Sequence, residues 1–160
     1  MAIQNLQASS AIAVVPSDTI DIPNPAAVVA SGTTTGIGSG SNNLKNTNAT
    51  FTDGSVSIGN IVHDTRVGVI DTVAAIVDDN NLTLTNSTNI GAGSTYNIYD
   101  HTAKAQPSLY VGVTGDVSVE MAGTGSAITY KGVPAGATLP INVTRVNSAN
   151  TTATDIVALF

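Results

Sequence analysis

The sequence has no cysteine and no tryptophan, and only two phenylalanines and four tyrosines among 160 residues. Without cysteine there is no disulfide staple, no thiol nucleophile and no thiolate metal site. Charge is scarce too. Asp, Glu, Lys and Arg make up 10% of the chain, with Glu120 the one glutamate, against roughly a quarter in soluble domains. The five basic residues, Lys45, Arg66, Lys104, Lys131 and Arg145, are scattered through a chain of net charge −6. They form no phosphate-tracking stripe, so nucleic acid is not expected as a partner. The longest apolar runs are about five residues, far short of the ~20 that a spanning helix needs. Met1-Ala2-Ile3-Gln4 lacks the basic start of a secretion signal. The expectation is a product made in a cytoplasm, with no membrane partner.

In place of charge there are Thr, Ser, Asn and Gly, residues of turns and strand edges. A surface so weakly charged solvates poorly on its own, which points to burial against other protein.

From Ser108 onward the two-residue alternation of a half-buried strand recurs: Leu109/Val111/Val113, Val117/Val119/Met121, Ile128/Tyr130 and Ile141/Val143. Turn signals separate these runs at Thr114-Gly115-Asp116, Gly123-Thr124-Gly125-Ser126 and Val133-Pro134-Ala135-Gly136. Asp155 to Phe160 reads as a further strand, docked in the sheet or in a partner. Upstream, Pro16, Pro23 and Pro25 keep the first residues extended, and Ile20 and Ile22 alternate as a strand laid on a neighbouring subunit would. Ala26 to Ala30 reads as a short strand, and the Ser/Gly/Thr/Asn stretch 31–43 as a linker. Leu44 to Asp100 predicts five or six short strands, among them Val56/Ile58, with Asp53-Gly54 as a hairpin signal and Asp78-Asp79-Asn80-Asn81 as a polar turn. Residues 101–107 read as a second linker. The expected fold is all-β: an extended arm with a first strand (1–30), an inserted small β-barrel or sandwich (31–104), and a C-terminal β-sandwich-like unit (105–160) packed with the arm.

Chemistry-bearing groups are few. His63-Asp64 and Asp100-His101 lack the further ligands of a metal site and the nucleophile of a catalytic dyad. Asp78 and Asp79 lack calcium-loop spacing, and the glycines at 36, 38 and 40 match no nucleotide-binding pattern. The Asn-x-Ser/Thr triplets beginning at Asn48, Asn81, Asn86, Asn142 and Asn150 are what chance yields in an Asn- and Thr-rich chain. Tyr96, Tyr99, Tyr110 and Tyr130 read as core residues sooner than as a sugar-stacking platform. No enzyme, metal or cofactor is expected.

Several stretches carry a resemblance: Pro107-Ser108-Leu109-Tyr110-Val111-Gly112, Gly115-Asp116-Val117-Ser118-Val119, Tyr130-Lys131-Gly132-Val133-Pro134-Ala135-Gly136, Leu139-Pro140-Ile141 and Thr152 to Leu159. Together with Pro16-Ser17-Asp18-Thr19 through Pro23, they resemble small structural proteins of tailed bacteriophages, among them the head-spike base proteins of gene transfer agents. The middle segment, through Phe51-Thr52, Val56 to Val62, Leu82-Thr83-Leu84 and Tyr96 to Tyr99, is similar to a module of other phage virion proteins. The gene transfer agent proteins lack that insertion. The resemblance implies a virion protein on the capsid outer surface that decorates or cements the shell, bound to the major capsid protein. The alternative it leaves is the base or a component of a spike, fibre or tail used in host attachment. A homo-oligomer, trimeric or five-fold, is the corollary, with Ile20, Ile22, Pro23, Pro25, Leu159 and Phe160 as the expected partner-binding residues. A carbohydrate-binding or carbohydrate-processing surface protein is the competing class.

Overall fold

The structure is a computed structural model and describes residues 8–38, 42–86 and 90–160. The strands β1 (Ala11–Ala13), β2 (Val28–Thr33), β3 (Asn43–Lys45), β4 (Ile61–Asp64), β5 (Val69–Asp78), β6 (Asn81–Leu84) and β7 (Thr95–Tyr99) fill the first hundred residues. They are followed by β8 (Ser108–Val113), β9 (Gly115–Met121), β10 (Ala127–Val133), β11 (Ala137–Leu139), β12 (Val143–Val146) and β13 (Thr154–Leu159). The fold is all-β, broken among the described residues only by single 3-10 turns at Pro25–Ala27 and Phe51–Asp53.

Two compact units share the chain: an outer one, Met1–Ile22 with Ala105–Phe160, and an inserted one, Pro23–Lys104. The first boundary therefore lies eight positions before the expected 30/31 division. The cause is β2, which pairs antiparallel with β7 from Val28 to Thr33 and so belongs to the insertion. The stretch read as a linker is in large part ordered strand and turn. Ser31 to Thr33 lie in β2, Thr34 is buried, and the Thr35 N–H donates to the Lys45 carbonyl.

In the outer unit β1-β13-β8-β11 form one sheet and β10-β9-β12 another. Leu109, Val111, Ile156 and Ala158 from the first and Val117, Val119, Val143 and Val146 from the second make one core. The period-2 pattern aims these residues to one side of β8, β9 and β13, and a register shift between Val143 and Arg145 brings Val143 and Val146 to one side of β12. Two such faces closed on each other make a sandwich. The chain changes sheets at Thr114. Gly115 permits this crossing, because a Cβ there would lie 2.6 Å from the Ala153 Cα.

In the inserted unit six strands run in the order β2-β7-β4-β5-β6-β3. The sheet curls until the segment after β2 meets β3 at a Gly36–Lys45 bridge. Leu44, Phe51, Val62, Leu82, Leu84, Tyr96 and Ile98 fill the interior. The polar turn Asp78 to Asn81 becomes the tight β5–β6 connection, with Asp78 opposite Asn81. Val56 and Ile58 form no strand. Val56 drops into the core, whereas Ile58 stays exposed in an irregular loop. Asp53-Gly54 likewise ends the Phe51 turn, Gly54 adopting φ 91° as its left-handed cap, and does not join two strands.

Candidate interaction surface

The arm packs on its own unit. Ala11, Ile12 and Ala13 pair with Leu159, Ala158 and Val157 of β13. The chain then crosses to the other sheet, where the Ser17 and Ile22 N–H groups donate to the Val146 and Thr144 carbonyls of β12. One strap thus covers an edge of both sheets. Polar clamps fix it. Asp18 accepts from the Ser148 hydroxyl at 2.6 Å and the Ala149 N–H at 2.9 Å. These bonds hold its carboxyl below the usual carboxylate range, the Ser148 hydroxyl contributing most. Arg145 bridges Asp21 of the strap and Glu120 of β9.

This placement corrects the expectation for the arm. Ile20 and Ile22 are only 7% and 6% exposed, with Ile22 inside the outer unit's core. Alternation of apolar residues marks a strand that buries one side and does not say on whose surface. Pro23 is buried, and Pro25, half-buried, opens the 3-10 turn capped by Asn24. Leu159 and Phe160 are half-buried, and Phe160 packs on the same core while its backbone bonds Ser10.

Apart from Leu159, sequence reading did not single out the outward side of the β1-β13-β8-β11 sheet. Register places Ala13, Val157, Tyr110 and Thr138 in one row across all four strands. A second row holds Ala11, Leu159 and Ser108. Tyr110 is 37% exposed at the centre. Neither row carries a charge, and Asp155, whose φ is 55°, lies at the end of the face beside Gly112. The signal was present in the sequence as the odd positions of Leu159-Ala158-Val157, hidden because the even positions are equally apolar.

The remaining candidates are structural. Asp64 accepts the Arg66 and Val67 N–H groups and caps the β4–β5 turn, while Asp100 accepts from Thr102. His63 is buried with an unpartnered Nδ1, and burial lowers its pKa. His101 stands 3.3 Å from the Asn60 amide. Asp78 takes the Asn80 N–H and the Asn81 amide, and Asp79 takes the Thr52 hydroxyl. No group of three or more His, Asp or Glu side chains among the described residues is placed to hold a metal. Tyr96 and Tyr99 are buried, which dissolves a four-tyrosine stacking platform. Ile37, Lys45, Val77, Asn81 and Thr83 line a groove of about 450 Å³. No helix of the described residues is long and apolar enough to cross a membrane.

No protein-family model, curated protein or solved structure matches this chain.

Proposed function

We propose that the chain is a catalytically inert structural protein of a phage-like virion, which decorates or cements the shell by binding the major capsid protein and further copies of itself. The observation that carries this reading is the uncharged outward face centred on Tyr110, with Val157, Leu159, Ala11 and Ala13 around it. A soluble chain of net charge −6 that keeps one four-stranded face almost free of charge has a surface suited to burial against protein. The resemblance of residues 107–160 to small phage structural proteins gives that partner its class. Repeated copies turn modest individual contacts into firm attachment.

The test is to locate the chain in purified particles and to repeat the assay with Tyr110→Lys and Val157→Lys. Both positions point outward, so the fold survives. Attachment to the shell is expected to fall sharply in each variant. A chain absent from particles, or present only at the tail tip, overturns the assignment to the capsid.

A further inference from the structure

The strap leaves the outer unit lopsided. It covers the free sides of β13 and β12, whereas β10 and β11 end their sheets at the opposite side. Strand β11 is three residues long and stops before Pro140, while β10 runs from Ala127 to Val133. Ile128 of β10 lies opposite Val119, a fully buried core residue, and so projects to the core side. It is nonetheless 46% exposed. The core is missing a neighbour there.

The backbone is equally uncommitted. The Met121 N–H donates to the Ser126 carbonyl. With the register of Ala127 on Glu120, the alternation of an antiparallel ladder then directs Ile128 and Tyr130 backbone groups at β9. Those of Ala127 and Thr129 point to the open side, and the regular ladder ends at the bulge between Tyr130 and Val133. An edge of this kind is a template for another strand.

We infer that β10 pairs antiparallel with β10 of a second copy of this chain, about a twofold axis at Thr129. That register sets Thr129 on its own counterpart as a hydrogen-bonded pair, with Ala127 beside Lys131 of the second copy, where the bulge begins. Ile128 falls opposite Tyr130 of the second copy, the aromatic and β-branched pairing that stabilises sheets, and receives the cover it lacks. Like charges do not meet at this seam: Lys131, already held by Asp116 at 2.8 Å, lies at the end of the pairing and faces Ala127 of the second copy, not its own counterpart. Two three-stranded sheets become one of six strands, and the contact is isologous and closed. The symmetry is twofold, unlike the trimer or five-fold ring expected from the sequence. The inference stands on the outer unit alone and does not depend on the virion reading.

Sedimentation of the full chain tests it, together with Thr129→Pro, which removes an open-side donor that β9 does not use. Expected are a dimer for the native chain and a monomer of unchanged circular dichroism for the variant. Because the chain has no cysteine, Thr129→Cys and Thr138→Cys give a second reading with a short thiol cross-linker, whether or not the proline variant folds. Efficient dimer capture at 129 and little at 138, on β11, supports the pairing. A monomeric native chain, or capture at 138 equal to that at 129, overturns it. Failure here leaves particle attachment untouched, so the two proposals fail separately.

Discussion

The Arg145 guanidinium meets the Asp21 carboxylate at 3.1 Å, across 124 positions of sequence that include the entire inserted unit. Its other nitrogen reaches Glu120, so one side chain ties the strap to two strands of a sheet. Each of the three side chains is only about a fifth exposed, which limits screening by water and salt. Arg145→Ala therefore leaves two half-buried carboxylates without their cation. It is expected to lower stability by about 1.5–3 kcal/mol in urea titrations followed by circular dichroism. Arg145→Lys restores only part, because one ammonium nitrogen on a shorter side chain replaces the two separate guanidinium nitrogens that reach Asp21 and Glu120. Equal stability of all three proteins would show that the strap is held by backbone bonds alone.

The close approach of Gly115 to Ala153 gives a second prediction. Gly115→Ala forces β9 away from the Thr152–Ala153 backbone and costs about 3 kcal/mol. Gly123→Ala, where nothing lies within 4 Å, stays within about 0.5 kcal/mol of the parent. Thermal melts of the pair separate local crowding from a general intolerance of the outer unit to side chains.

Inside the insertion, the Asn46 amide donates to the Tyr96 hydroxyl at 2.9 Å, and both residues are buried. Tyr96→Phe keeps the ring against Phe51 and strands that amide without an acceptor. The expected loss is about 1–3 kcal/mol. An unfolding midpoint unmoved by the change would mean that Asn46 finds another acceptor.

Acid should weaken the fold in two separate windows. His63 has a pKa lowered from 6.5, chiefly by burial, with Asp64 opposing. The unfolded chain then binds the proton more readily, so stability is complete above pH 6.5 and declines as pH falls from there through the lower folded value. Asp18 and Asp116 have pKa values lowered from 3.8, by the Ser148 hydroxyl and by Lys131 respectively. Their contribution is present above 3.8 and is lost as pH falls through their folded values. Urea midpoints measured against pH should fall below 6.5, and His63→Gln should flatten that first decline while leaving the more acidic one. A parallel slope in the variant would remove His63 from the account.

The strands that sequence made legible are those whose two faces differ. Leu109/Val111 and Val117/Val119 alternate with polar or small residues, and these four side chains are fully buried. The β5–β6 turn was legible because Asp78 to Asn81 can do little else. Gly32 was not. In sequence it belongs to a Gly/Ser/Thr stretch that reads as flexible. In the fold it sits mid-strand because a Cβ there would come within 2.9 Å of the Tyr96 hydroxyl, a contact partner 64 residues away that no local window contains. The strap shows the same limit. Pro16 and Pro23 announce extended chain, but only the Thr144 and Val146 carbonyls decide that it lies on its own unit. The nearly charge-free face was hidden for a different reason. It exists only as a register across β1, β13, β8 and β11, four segments drawn from opposite ends of the chain.

The pairing of Ala11 with Leu159 also orders events during synthesis. Every strand of the inserted unit has left the ribosome while the strap still waits for β13. The insertion can collapse as it is translated. The outer unit stays open, with Ile22 and its future neighbours unsatisfied, until Leu159 emerges to receive a segment made long before it.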